Sequence, residues 1–313
     1  MVDIPQDDPT ILKLNAAQES AQSKYRRKYL GMSGIGEECS RKLWYDFHFV
    51  LPPEEFNALT LRRFEDGHRT EDLIAKHLRK TPGITLITEE PGTGRQIGYS
   101  DFGGHFRGHM DGHIEGIANA PDTAHVWEHK ATNDKKFNEL NKLRFANEKA
   151  ALAQWDPTYY AQAVLYMFYG NYFRHYLTCS TAGGRELTAV RTNADPVTAT
   201  KLRDKAKRII TSNEPLQRIS DDKTFYKCGW CRFKGLCHEK AAPTRDCRNC
   251  CHATANIETG LWDCKKHNCE ATELCTSHRF LPGLIPGEPT DANEAENWIE
   301  YKMDDGGIWR DNG

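Results

Sequence analysis

Long apolar runs are missing from this sequence. The greasiest stretch, Ala163 to Tyr169, has seven residues, against the roughly 20 that a membrane-crossing helix needs. A secretion-type leader is missing too: the opening MVDIPQDDPTILKL has no basic segment followed by an apolar one, so a cytoplasmic protein with no membrane partner is expected. There is no G-x4-G-K-[ST] phosphate loop, which excludes a fused P-loop motor, and there is no internal repeat. Net charge is small as well, with 42 basic residues against 44 acidic ones. What remains is a 313-residue chain with 38% hydrophobic and 27% charged residues. That composition excludes disorder and fits one large or two modest globular domains.

The near-neutral total hides a division. Residues 288–313 carry eight acids and two bases, a net of −6, so the remainder carries about +4. Within it, Lys201 to Lys240 holds eleven bases and five acids. Such a stretch suits a phosphate backbone, and it equally suits a solvated helix face. Eleven cysteines are many for a chain without a leader, and metal ligation is then expected over a disulfide framework. Cys39 stands alone, Cys179 lies in an apolar strand-like run as a small buried residue, and the other nine fall between Cys228 and Cys275.

Residues 1–30 are polar and end in the basic run KYRRKYL, read as a helical arm. From Thr60 to Lys80 the period is helical, with Leu61, Phe64, His68, Glu71, Ala75 and Leu78 on one face. A short apolar run ITLIT follows Pro82-Gly83. RQIGYSDF and HFRGHMDGHIEG flank Gly103-Gly104 as a β-hairpin, and AHVWEHKAT is a third strand. Asp156-Pro157 opens a helix as N-cap and first-turn proline. YFRHYLTCST and ELTAVRT read as strands and Pro196 to Ile210 as a basic helix. This order predicts an α/β core with a mixed central sheet flanked by helices.

Side chains alternate along a strand, so His109, Asp111, His113 and Glu115 are expected on one side of HFRGHMDGHIEG. In AHVWEHKAT, Glu128 and Lys130 fall together, with Trp127 and His129 opposite. Two carboxylates can hold Mg2+ or Mn2+ against a phosphate while an ammonium orients or helps deprotonate a water. An exposed strand with a cross-strand ion pair would show the same letters. His68, on the helical face, would be a further ligand if its imidazole faces inward to a metal, and taken alone it reads more readily as a satisfied core histidine. In YYAQAVLYMFYG, Gln162 and Tyr166 lie four apart, within reach of a DNA backbone or of the lysine. His105, His109 and His113 would suit a zinc or iron hydrolase on a helix, but five glycines between 103 and 116 disfavour a helix there.

The order His68, Asp111, Glu128-x-Lys130, Gln162-x3-Tyr166 resembles the PD-(D/E)xK nuclease superfamily in its RecB-like branch. The resemblance implies a restriction-endonuclease-like core. It makes His68, Asp111 and Glu128 metal ligands, with the backbone carbonyl of His129 completing the shell, Lys130 the water activator, and Gln162 and Tyr166 supports. It covers roughly residues 31–240.

In KCGWCRFKGLC, Cys228, Cys231 and Cys237 need a fourth ligand, and Cys39 is the lone candidate. Thiolates favour zinc or an iron–sulfur cluster, and spacing does not separate them. One distant cysteine followed by C-x2-C-x5-C resembles the [4Fe–4S] nucleases, both AddB-type helicase–nucleases and CRISPR-associated RecB-like exonucleases. CSRKLWY is similar to their C-P-R-x-x-Y-Y phrase, with serine for proline. The resemblance implies a [4Fe–4S] cluster on Cys39, Cys228, Cys231 and Cys237 that staples the domain without redox work.

Residues 243–287 read as a small module that needs a Zn2+ staple to fold. Its expected tetrad is Cys247, Cys250, Cys264 and Cys275, with His278, His267 and Cys269 as substitutes. The acidic segment 288–313 reads as a docking hairpin or a solubilising tail. The organisation expected is therefore an arm (1–30), a nuclease core (31–240), a zinc module (243–287) and an acidic tail (288–313). The activity expected is a Mg2+- or Mn2+-dependent deoxyribonuclease, exonuclease rather than endonuclease. It would act on single-stranded DNA or duplex ends in recombination, repair or end processing, in a bacterium or phage-infected host. Tyr166 and the aromatics near Trp230 would stack on bases, and a recombination or single-strand-annealing protein is a candidate partner. The alternatives are a non-catalytic DNA-binding scaffold with the same fold, and the histidine-centred hydrolase.

Overall fold

The computed structural model describes residues 8–313; residues 1–7 of the expected arm lie outside it. In chain order the elements begin with α1 (Pro9–Ala21), β1 (Leu30–Gly31), α2 (Ser40–Phe47) and α3 (Ala58–Arg79). Five strands follow: β2 (Thr85–Ile87), β3 (Gly98–Asp101), β4 (Phe106–His109), β5 (Gly112–Glu115) and β6 (His125–Thr132). Helices α4 (Asp134–Trp155) and α5 (Pro157–Gly170) lead to β7 (Arg174–Thr181), β8 (Leu187–Asn193) and α6 (Pro196–Thr211). Then come α7 (Tyr226–Gly229), α8 (Lys234–His238), β9 (Ala253–Ala255), β10 (Trp262–Cys264) and β11 (Cys269–Glu270). Strands β12 (Gly287–Asn293), β13 (Trp298–Met303) and β14 (Ile308–Asp311) complete the chain.

These elements form two compact units: the first from residues 8–27, 53–98 and 109–196, the second from 28–52, 99–108 and 197–313. Unit 1 is a mixed α/β fold. Its sheet runs β2-β5-β6-β7-β8, with β6 and β7 parallel and the other pairs antiparallel. The parallel pair follows from the α4–α5 crossover, because two parallel neighbours cannot be joined by a tight turn. Helices cover both faces. Ile74 and Ala75 of α3 pack with Leu86, Ile114 and Trp127; Phe137, Leu140, Leu152 and Ala163 of α4 and α5 pack with Leu177, Cys179 and Val190. Cys179 is thus a small buried core residue. Gly116 sits where L side chains strain, at φ +81°, and a Cβ there would fall 1.7 Å from the Gly83 carbonyl oxygen.

Three local readings differ from the structure. The run KYRRKYL is not helical: α1 ends at Ala21, and the chain has no regular structure until Leu30 pairs with Phe106. HFRGHMDGHIEG is not one strand. It breaks at Met110-Asp111 into β4, which pairs in the order β1-β4-β3, and β5, which belongs to the five-stranded sheet. His109 and Asp111 therefore do not share a surface: His109 is exposed and Asp111 buried. Helix α4 is an element that periodicity did not reveal. Non-helical angles at Asn147 (φ −162°, ψ 95°) reset its phase, so Phe137 and Leu140 are buried on one stretch and Ala151, Leu152 and Trp155 on the next.

Unit 2 holds three small sheets, β1-β4-β3, β9-β10-β11 and β12-β13-β14. Arg248 lies over the rings of Phe47, Phe49 and Trp262, the nearest centroid at 4.2 Å. The Asn249 amide donates to the carbonyls of His48, Phe49 and Thr244. The acidic segment 288–313 is a folded antiparallel meander. Its Asp311 is buried and accepts from Arg245 at 2.7 Å and from the Phe280 amide at 2.7 Å. No helix among the described residues is long and apolar enough to cross a membrane.

Candidate active site

Unit 1 gathers Asp111, Glu128, Lys130, Gln162 and Tyr166, and adds Glu71. The strand period does most of this. Glu128 and Lys130 project from one face of β6, and Lys130 Nζ donates to Glu128 Oε1 at 2.5 Å. Asp111 lies in the turn ahead of β5, where the Met110 amide bonds to the Ile97 carbonyl. Its Oδ2 accepts from the His129 amide at 2.9 Å, and its carboxyl lies within hydrogen-bonding reach of Glu128. Gly112 permits the approach, since a Cβ there would lie 2.9 Å from the Ile87 carbonyl oxygen. From α5, Gln162 donates to the same Glu128 oxygen at 2.7 Å and stands 3.4 Å from the Tyr166 hydroxyl.

The opposite face of β6 is a buried brace. Trp127 Nε1 donates to Thr178 Oγ1 at 3.0 Å, and the His129 ring bonds Thr178 and Ser180 through its two nitrogens. Thr178 in turn donates to the Glu128 carbonyl at 3.3 Å. Thr178 and Ser180 carried no signal in the sequence beyond their alternation along β7.

The electrostatics are those of charge packed without water. Burial, reinforced by the Asp111 carboxylate, pushes the Glu128 carboxyl up to about 8 against the pull of Lys130. Burial also raises Asp111, and burial with Asp111 lifts Glu71 to about 7. Burial works against the Lys130 ammonium, but Glu128 and Asp111 outweigh it and hold the lysine above its ordinary value. Lys130 is therefore a fixed cation here. Three carboxyls against one ammonium leave a site that favours a further positive charge.

His68 lies on the same side of α3 as Ala75 but two turns earlier: Phe64 and His68 are exposed while Thr70, Ile74 and Ala75 are buried. It reaches Asp111 only as a Coulombic neighbour, and Glu71, one turn on, is the α3 side chain coupled to Asp111 and Lys130. Tyr166 is 1% exposed and has no open face for a base. The three histidines of the hydrolase alternative do not share a partner: His105 meets the Leu261 carbonyl, His113 meets Tyr172 and Glu115, and His109 is exposed.

Among the described residues no three His, Cys, Asp or Glu side chains stand close enough together to hold a metal ion as arranged. The donor set nevertheless fits a hard cation. Glu128 Oε2 is buried with no hydrogen-bond partner, an arrangement that costs free energy unless something positive meets it.

None of the eleven cysteines is in a disulfide. In unit 2, Cys39 caps α2, Cys228 lies in α7 and Cys237 in α8. Lys227 pairs with Glu38 at 2.5 Å, bringing the α7 turn to the residue beside Cys39. Burial raises the Cys228 and Cys231 thiols; Cys39 and Cys237 raise the first further, and Cys39 and Cys228 the second. Farther on, burial and then Asp246, Cys250, Cys275 and Cys264 push the Cys247 thiol up to about 11. Cys275 Sγ stands 3.6 Å from His267 Nε2. His278 bonds Arg245 at 2.8 Å and Asn249 at 2.9 Å through its two ring nitrogens. Both thiol sets have the soft donors that zinc or an iron–sulfur cluster takes.

No protein-family model and no curated protein matches the chain. Solved structures similar to it include an alkaline exonuclease (LHK-Exo) from Laribacter hongkongensis, at TM-score 0.37 and 13% identity over 59% of this chain and 87% of that one. A phage-related exonuclease from Haemophilus somnus 129PT gives 0.40 and 14% over 59% and 92%. SSO0001 gives 0.35 and 13% over 73% and 94%. At such scores the likeness assigns this chain neither a family nor an activity.

Proposed function

We propose that this chain is a Mg2+- or Mn2+-dependent deoxyribonuclease of the PD-(D/E)xK kind, acting on DNA ends. The observation that carries this reading is the convergence of buried Asp111 and Glu128 with half-buried Lys130 and Glu71, with one Glu128 oxygen left without a partner. Asp111 and Glu128 would hold the cation. Glu71 takes the third place expected of His68, and the His129 carbonyl is a further candidate donor. When bound, such a cation polarises a phosphoryl oxygen and lowers the pKa of a coordinated water. Lys130, kept charged by its two carboxylate neighbours, orients that water and offsets the charge developing on the phosphate. Gln162 keeps the Glu128 carboxylate in register, and Tyr166 packs behind Gln162.

In the same reading, Cys39, Cys228, Cys231 and Cys237 carry a [4Fe–4S] cluster that staples unit 2. Cys247, Cys250, Cys264 and Cys275 take Zn2+. Support comes from the Coulombic coupling that links Cys39, Cys228, Cys231 and Cys237 in one set and Cys247, Cys250, Cys264 and Cys275 in the other.

The test is cleavage of end-labelled linear DNA beside closed circular DNA with Mg2+ or Mn2+, for the wild type and Lys130→Ala. The expected outcome is cleavage of the linear substrate only, reduced about 10²–10⁴-fold in the variant. Cleavage of both substrates makes the enzyme an endonuclease. Equal activity in Lys130→Ala refutes this active site, and no cleavage by metal-replete protein leaves a DNA-binding scaffold.

A further inference from the structure

The most exposed large apolar side chain among the described residues is Trp230, at 93%, and Tyr226, four residues earlier, is 65% exposed. They flank the short α7 turn inside the first cysteine set. This turn is not loose. The Cys228 and Gly229 amides bond to the Phe225 carbonyl at 2.8 and 3.0 Å, and the Cys231 amide to the Cys228 carbonyl at 3.1 Å. Cys228 and Phe233 of the same segment are buried, so the backbone that hides those two holds both aromatic rings in water. The two rings thus offer a paired aromatic surface to an occupant.

Charge narrows the occupant. Lys227, Arg232 and Lys234 face Glu38, Asp46 and Glu239 at 2.5, 3.8 and 3.6 Å, and Arg218 faces Asp221 at 2.8 Å. Local charge is thus largely balanced, while the whole stretch Lys201 to Lys240 remains basic. A ligand held here is attracted weakly from afar and gripped by ring faces. Unpaired nucleobases on a phosphate chain have that chemistry, since every base offers a π face and the backbone is anionic. A duplex, whose bases are already stacked, does not.

We propose that Tyr226 and Trp230 form a stacking platform for the unpaired bases of single-stranded DNA. This rests on the reading that the chain works on DNA, and it adds the strand form that the protein grips. The test is binding of a fluorescent oligothymidylate, and of an abasic deoxyribose-phosphate chain of equal length, to the full metal-replete chain with no added Mg2+ or Mn2+. Trp230→Ala is expected to weaken oligothymidylate binding about five- to a hundredfold and to leave abasic binding unchanged. Trp230→Phe, which keeps a π face, should restore most of the affinity. The loss should persist at raised salt, because stacking releases no counterions. Equal oligothymidylate affinity in wild type and Trp230→Ala overturns the platform. An equal loss on the abasic chain overturns it as well, because charge or folding then explains the effect. Trp230-dependent binding by a protein that cuts nothing would refute the nuclease and keep the platform; cleavage without any Trp230 contribution to binding would do the reverse.

Discussion

The two units hold their reactive groups by different means. In unit 1 the carboxylates and lysine sit on a five-stranded sheet with a helical core on each face, and the Trp127–Thr178–His129–Ser180 network braces the strand behind them. In unit 2 the thiols sit on turns and two- or three-residue strands, supported by the Arg248 cation–π contacts and the Asn249 amide. A carboxylate site can be preassembled by packing alone. A thiol site on short turns has little to hold it open until a metal binds.

The sharpest way to break that contrast is to remove thiols. Cys39→Ser should abolish bound iron, and Cys250→Ser should abolish bound zinc. Structural zinc can supply on the order of 10 kcal/mol to a small site, so unit 2 should lose amide protection while unit 1 keeps it. Elemental analysis with hydrogen exchange checks this; unchanged metal content and protection would show that unit 2 stands on its own packing.

A change in unit 1 should act through packing instead. Gly116→Ala places a Cβ on the Gly83 carbonyl at a positive φ, and should destabilise unit 1 by roughly 2–5 kcal/mol. Denaturant unfolding measures it, and a wild-type midpoint would mean that the Gly83 turn yields.

The smallest effect concerns pH. Burial lifts Glu71 to about 7 and Glu128 to about 8, above the ordinary 4.5. A raised carboxyl pKa contributes stability that is full below the unfolded value and lost as pH rises through the folded one. Metal-free unit 1 should therefore weaken between about pH 4.5 and 8. Added Mg2+ should stabilise it more at pH 8.5 than at pH 6, because cation and proton compete for the same oxygens. Glu128→Gln should flatten both trends. In unit 2, buried His48, pushed down to about 3, and His278, pushed down to about 4, give the opposite sign: stability is present above 6.5 and lost on acidification. Melting followed across pH 4–9 reads both, and a flat profile in unit 1 would mean that water reaches its carboxyls.

What the sequence made legible follows from local periods. Alternation along a strand put Glu128 beside Lys130 with Trp127 and His129 behind, and the Asp156-Pro157 pair marked the start of α5. Helical period placed Glu71, Ala75 and Leu78 of α3 on one face but did not pick out Thr70 and Ile74, which are buried, nor show that Phe64 and His68 are exposed, because the cover over a helix depends on the elements packed against it. Helix α4 was hidden by its break at Asn147, and the strand break at Met110-Asp111 by glycines that suited either a straight strand or a turn. The meander at 287–311 could be read as a docking hairpin or as a tail because its exposed acids outnumber Tyr301 and Asp311, the two positions that are buried.

The discontinuity of the two units sets an order of events during synthesis. Everything unit 1 needs has been made by residue 196, whereas unit 2 joins residues 28–52 to a segment that begins at 197. Cys39 thus emerges 189 residues before Cys228. At roughly 5–20 residues per second it waits on the order of 10–40 s as a lone reduced thiol. Any loading of the first thiol set is therefore a late event, completed only after the carboxylate site has a sheet to stand on.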